Sequence, residues 1–356
     1  MAEALGGQLT DVRNQAFDTT STLKNHLRRG HSLLRAPVPR LYLSATSEAD
    51  VVAGVKLALD QDLKLALHGS GHHFAATSLP QDGLTIDMSK LKDVYLDENT
   101  GIARFQAGLD SMELCKATGP KGWHFRVAHV TSVGIAGYNL GGGQGWGGMA
   151  VDQITAMDCV NVWEYPKQEL KIVRVDADNH PELFWGLQGA GMMLGVVVAF
   201  WGQLQPIPKD GLIRATSAIW PLPLASKAWE AYNHYTGNHQ HSPLVERSAA
   251  YVTIPGKGPA LVFSASDWST GDDEAARQTD AGSDADGDAK HIAWARDTVQ
   301  KISHLSRGTF ISNVEFSRPE DTRQSFPEGS WARLQAVKAQ YDPRTLLQSL
   351  SFRTGE

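Results

Sequence analysis

Between residues 130 and 148 the chain reads VTSVGIAGYNLGGGQGWGG, eight glycines in nineteen residues. Flexible linkers are built from small polar residues, whereas here Val, Ile, Tyr, Leu and Trp interleave with the glycines. The segment therefore predicts ordered backbone lying close to another group, because a missing Cβ is what such an approach requires. A second cluster, HGSGHHF at 68–74, follows the apolar stretch LKLAL at 63–67. Two such turns in one α/β region point to a ligand carrying phosphates, since backbone N–H groups reach an anion with no side chain in the way. The two best-known phosphate folds do not fit. There is no Gly-Lys-Ser/Thr, no helical pattern follows GGGQGW, and no acidic residue sits at Rossmann spacing after a first strand.

His68, His72 and His73 surround Gly69, Ser70 and Gly71. Three readings stay open: a metal site, histidines satisfied by loop hydrogen bonds, or an imidazole lying against or bonded to a cofactor. A metal site needs further ligands at helical or hairpin spacing, and none lies nearby, so no metal is expected.

Composition narrows the class. A chain of 356 residues allows one large domain or two ordinary ones, and 42% apolar with 20% charged residues permits a buried core. The net charge of −6 argues against a nucleic-acid partner, which calls for a basic face. Two cysteines, Cys115 and Cys159, build neither a disulfide framework nor a zinc site and read as small buried hydrophobes. MAEALGGQLTDVRNQ lacks a basic start followed by an apolar run, and no stretch reaches the roughly 20 apolar residues that span a bilayer. A cytoplasmic chain with no membrane partner is expected, secretion remaining open if a leader was removed.

Along the chain, Thr46 or Ser47 caps a helix beginning near Glu48, and residues 63–67, 83–89 and 101–108 read as strands. A helix over 110–118 is stopped by Gly119-Pro120. Segments 158–165 and 171–177 predict a hairpin, 180–191 a short helix with an early Pro, and 195–205 a buried strand. After Pro206-Ile-Pro208 the order is strand, helix, strand, strand over 212–265. An acidic stretch at 267–290 reads as a surface loop. Its DADGD is no calcium loop, because Ala289 and Ala295 stand where Gly and Glu are required. A helix over 293–305, a strand over 308–312 and a helix over 331–340 complete the chain.

Taken in order, these blocks resemble flavoproteins with the para-cresol methylhydroxylase type of FAD-binding domain, in particular the berberine bridge enzyme-like and 6-hydroxynicotine oxidase-like oxidases. PRLYLSATSEADVVAGVKLALDQDLKLALHGSGHHF is similar to the family's entry segment, helix, strand and pyrophosphate loop. GLTIDMSKLKDVYLDENTGIARFQAG is similar to its next hairpin and TSVGIAGYNLGGGQGW to its second cofactor loop. HPELFWGLQGAGMMLGVVVAFWGQL and RLQAVKAQYDPRTLL are similar to its Asn-Pro-Asp-Leu-Phe-Trp block and closing helix. The resemblance runs from about residue 38 to 348.

The resemblance implies an α+β fold: a two-lobed FAD-binding domain of the vanillyl-alcohol oxidase type plus a shortened substrate domain with an antiparallel sheet and flanking helices. The domains implied are 1–208 (lobes of about 38–108 and 109–208), 209–307 for the substrate domain, and 308–356 returning to the first. The family's Arg-Gly-Gly-Gly-His loop falls on His68, Gly69, Ser70, Gly71 and His72, which implies FAD held covalently through one histidine, His72, with His73 as its neighbour. Val130 stands where some members carry a second attachment Cys. Ser132, Val133, Gly134, Ile135 and Gly137 fall on the second loop, Ile135 at the position associated with oxygen approach. Gly141, Gly142 and Gly143 continue the cradle, and Val197 falls on the strand that touches the cofactor. Ser312 replaces a cofactor-contacting Asn. Asn313 replaces a Tyr that is the base in some members, and Asn takes up no proton there, so its implied place is substrate binding. Tyr251 is the candidate catalytic polar group. The implied function is FAD-dependent hydride removal from a small organic substrate, with oxygen or another acceptor reoxidising the flavin. Two alternatives are a flavin-scaffold isomerase or cyclase and a non-catalytic flavin binder.

Overall fold

The computed structural model describes residues 6–12, 37–73, 77–145, 147–207, 213–238, 245–254, 256–267 and 329–347, together with Arg323, Phe326 and Pro327. Two compact units divide the chain: Met1–Gln144, Met149–Gln205 and Gly308–Glu356 form one, Gly145–Gly148 and Pro206–Arg307 the other.

The first unit opens with β1 (Gln8–Asp11), β2 (Leu41–Ser44), α1 (Glu48–Asp60), β3 (Leu65–His68) and β4 (Leu84–Asp87). Their sheet has the order β1-β2-β4-β3, with β4 parallel to both neighbours, so Ile86 pairs with Leu43 on one side and Leu67 on the other. Every residue of β4 is buried, as a central parallel strand requires. A capping box starts α1: Asp50 N–H donates to Ser47 Oγ (3.1 Å) and Ser47 N–H to Asp50 Oδ2 (3.0 Å).

Next come β5 (Val94–Leu96), β6 (Ile102–Gln106), α2 (Ser111–Thr118), α3 (Ile135–Leu140), β7 (Ile154–Val160), β8 (Ile172–Asp176), α4 (Pro181–Ala190) and β9 (Val197–Gln203). The strands form an antiparallel sheet of order β8-β7-β9-β6-β5. Phe105 anchors its core, edge-on to Phe125 at 4.9 Å and stacked with Phe200 at 5.9 Å. Arg104 ties this sheet to α1: its Nη2 donates to Glu48 on α1 (2.7 Å) while its Nε donates to Asp158 on β7 (2.8 Å).

Two expectations change here. Residues 83–89 and 101–108 do not form one hairpin: β4 lies in the first sheet, and β6 pairs with β5. The glycine-rich segment is not loop throughout, because α3 forms inside it between Gly134 and Gly141.

The second unit contains β10 (Arg214–Pro221), α5 (Ala225–Asn238), β11 (Val245–Ile254) and β12 (Gly258–Asp267), the strands ordered β10-β12-β11 and antiparallel. Its core is Leu261, Phe263, Ala225 and Ala228, with Tyr232 stacked on Phe263 at 4.6 Å. The last helix among the described residues, α6 (Ser330–Tyr341), belongs to the first unit. The expected helix over 293–305 and strand over 308–312 lie outside the described residues.

Candidate active site

The first unit holds a cavity of about 380 Å³, within the size range of small-molecule and cofactor sites. The turn after β3 forms one lip. His68 ends that strand, buried, with Nδ1 3.2 Å from Ser78 Oγ and its carbonyl accepting from Met88 N–H at 2.9 Å. Gly69, Ser70, Gly71, His72 and His73 then line the cavity.

The second lip comes from residues 128–134 and is set by the start of α2. Ser111 and Met112 donate their backbone N–H groups to Val133 O (2.9 Å) and Thr131 O (3.0 Å), and Ile135 N–H donates to Leu109 O (2.9 Å). Helix α3 then leaves the lip, presenting Ala136, Gly137 and Tyr138 to the cavity.

Two side chains stitch the lips together. Gly134 N–H donates to Ser70 Oγ at 2.6 Å, and His72 Nε2 lies 2.9 Å from Ser132 Oγ. A Cβ at Gly134 would stand 2.7 Å from Ser70 Oγ, so the stitch requires glycine. His73 sits beside them, and burial pushes its imidazole down from 6.5 to about 4, leaving it neutral at neutral pH.

Of the expected cofactor residues, Gly69, Ser70, Gly71, His72, His73, Val133, Gly134, Gly137 and Val197 line one cavity. His68 lies behind the wall and Ser132 beside it, touching His72. Ile135 is fully buried in the core at the start of α3 and does not line the cavity. Gly141, Gly142 and Gly143 do not line it either. Gly142 and Gly143 turn the chain at φ +93° and +68°, and their carbonyls accept from Val151 and Ala150 N–H at 3.1 and 2.7 Å. A Cβ at Gly143 would meet the Tyr138 ring at 2.8 Å and Ala150 at 2.9 Å, so protein packing accounts for that glycine.

Tyr251 belongs to the second unit, where it is exposed and its hydroxyl accepts from Trp229 Nε1–H at 2.8 Å. Ser312 and Asn313 lie outside the described residues. The sequence reading did not single out Met88, Tyr138, Met192 or Leu347 as lining the cavity. All four stood inside blocks that carry the resemblance, Met88 in 83–108, Tyr138 in the glycine run, Met192 in 180–204 and Leu347 at the end of 333–347, but no local pattern marked which residues of those blocks line a cavity. Among the described residues no group of three His, Cys, Asp or Glu side chains is placed to hold a metal ion, and no helix is long and apolar enough to cross a membrane.

A dinucleotide fits what is present. Two backbone turns face each other across an apolar wall containing Val197, and the cavity has space where a side chain is missing. A Cβ at Gly137 would meet nothing within 4 Å.

A protein family described as an FAD binding domain matches residues 39–163. The FAD-linked oxidoreductase hasG of Aspergillus fumigatus is 30% identical over 209 residues, covering 57% of this chain and 44% of that protein. (R)-6-hydroxynicotine oxidase of Paenarthrobacter nicotinovorans is 27% identical over 215 residues, covering 59% and 44%. The chain therefore matches less than half the length of these curated relatives. In overall structure it is similar to 6-hydroxy-D-nicotine oxidase from Arthrobacter nicotinovorans (TM-score 0.74, 17% identity, 97% of each chain). It is also similar to a berberine bridge enzyme-like protein of Arabidopsis thaliana (TM-score 0.75, 12% identity, 98% of each chain). At such identities the likeness shows the fold: a mixed α/β fold of the para-cresol methylhydroxylase and vanillyl-alcohol oxidase type.

Proposed function

We propose, on the premise that this chain carries an FAD binding domain and is a relative of FAD-linked oxidoreductases, that it is an FAD-dependent oxidoreductase acting on a small organic molecule such as an alcohol, amine or secondary metabolite. Gly137 carries the reading. Glycine inside a helix costs about 1 kcal/mol relative to Ala. Gly137 is exposed and lines the cavity, and a Cβ there would meet no protein atom within 4 Å, so packing within the protein does not account for the glycine, whereas a ligand lying over it would.

Bound FAD supplies a hydride acceptor, with dioxygen or another acceptor taking the electrons afterwards. The residues of this chain hold and orient it. The Gly69–His73 turn and the Val133–Gly134 lip with Ala136 and Gly137 of α3 would hold FAD, and Val197, Met88 and Leu140 would keep water from the wall. His72 is the attachment residue, its ring oriented through Nε2 by Ser132. His73 beside it is held neutral by burial. Val130 brings no thiol, so a single link is the most this chain makes. The family resemblance assigns residues 1–208 and 308–356 to the cofactor, Ser312 among them, and 209–307, with Tyr251, to the substrate, while Asn313 is assigned to substrate binding.

A visible absorption spectrum of the protein purified with added FAD tests the reading. A flavin band is expected, and colour surviving denaturation in wild type but absent from His72→Ala places the link. A folded, colourless wild type overturns the whole reading. Release of free FAD from both proteins overturns the covalent part alone.

A further inference from the structure

The described chain returns to the cavity at its far end. After α6 the backbone turns at Asp342 and runs beside β3: Leu65 N–H donates to Leu346 O at 2.8 Å, and Leu347 bridges Leu65 in parallel. Leu347 and Leu65 both line the cavity, as do Met192 and Gly195 on the connection between α4 and β9. Two wall segments more than 140 residues apart in sequence thus meet at one place.

One ammonium group ties them. Lys338 is buried on α6, and its Nζ donates to Met193 O, to Asp342 Oδ2 at 2.5 Å and to Leu347 O at 3.3 Å. Asp342 completes the knot, its Oδ1 accepting Leu346 N–H at 2.7 Å and its Oδ2 Leu347 N–H at 3.0 Å. All three ammonium donors are engaged. Burial lowers the lysine's pKa while Asp342 raises it, and the net direction is down. A buried ion pair is an expensive way to stabilise a fold, and well-packed apolar residues often do as well. What an apolar pair does not do is hold two backbone carbonyls from separate segments at hydrogen-bonding distance.

We propose that Lys338, with Asp342, is a positioning residue for cofactor binding: it fixes the 342–347 segment against the 191–195 segment, so that the cavity wall has the shape FAD requires. The proposal rests on the FAD reading of the cavity. Neither residue lines the cavity itself, and the effect passes through Met192, Gly195 and Leu347.

The test uses the full chain carrying His72→Ala, in which FAD uptake is reversible, and the same chain also carrying Lys338→Met, with Lys338→Gln as a milder variant that keeps two N–H donors on one nitrogen if the first does not fold. Far-ultraviolet circular dichroism and melting without cofactor report folding. FAD uptake well below the melting temperature, followed by the flavin's visible band and its induced circular dichroism, reports the cavity. The proposal expects the FAD concentration for half-saturation of folded chains to rise at least tenfold, with an altered induced signal. A variant that melts lower yet takes up FAD with the half-saturation and induced signal of the His72→Ala parent overturns it, because the pair is then structural only. If wild type takes up no FAD, the reading of the cavity fails first.

Discussion

The two halves of the glycine run carry the same residue for opposite reasons. In the upstream half, Gly134 admits a side chain from the facing lip and Gly137 borders open cavity. In the downstream half, Gly143 is enclosed by Tyr138 and Ala150 at a positive φ. One half makes space for something other than protein, and the other lets protein close on itself. Glycine content alone is therefore a poor guide to a binding site; what matters is whether the missing Cβ would meet the chain or the cavity.

Substitutions can break this contrast. Gly143→Ala is expected to have the largest effect on stability. The left-handed conformation costs an Ala about 1–2 kcal/mol and crowding adds about 1–3 kcal/mol, a loss of roughly 2–5 kcal/mol by urea unfolding. FAD uptake per folded chain should change little. A next-smaller effect comes from His73 on the cavity side. Its folded pKa of about 4 lies below the unfolded value of 6.5, so between those pH values the unfolded chain binds the proton and the folded chain does not. Stability of the cofactor-free chain should therefore fall as pH drops from 6.5 to 4, by up to about 3 kcal/mol, and His73→Leu should flatten that slope. An equal slope in the variant would remove His73 as the cause.

The smallest effect on stability separates the halves most sharply. Gly137→Ala should stabilise the cofactor-free chain by up to about 1 kcal/mol, since it improves a helix and meets no neighbour. The position borders the cavity, so in a His72→Ala background, where uptake is reversible, FAD half-saturation should rise severalfold. A variant that is more stable and binds FAD as its parent does would cancel the distinction between the two halves.

Much of the fold was legible locally. The Ser47 cap before α1, the early Pro of α4 and the apolar run of β9 depend on neighbours a few residues away, and these elements stand where their signals placed them. The turns at 68–73 and 130–134 were legible for the same reason, since an interrupted apolar pattern with glycine marks an ordered turn, whereas the helix from Ile135 was not. The partners of the strands were less so. β4 and β6 follow each other in sequence, yet the two-sided burial of β4 takes it into the parallel sheet while β6 joins the other. Ile135 carries a cofactor-loop signature but begins a helix, and its position there turns it into the core.

The amino-acid order by itself determined the kind of site: two glycine turns at strand and helix ends, a histidine pair after the first, and no thiol before the second. Those are short-range facts of backbone freedom and side-chain chemistry. Tertiary structure alone decided which glycines face open space, which of His68, His72 and His73 reach the cavity, and that Leu347 closes a wall begun at Leu65. The reason is physical. Space and burial belong to pairs of segments far apart in the chain, and no residue's own conformational preference records what will be packed against it.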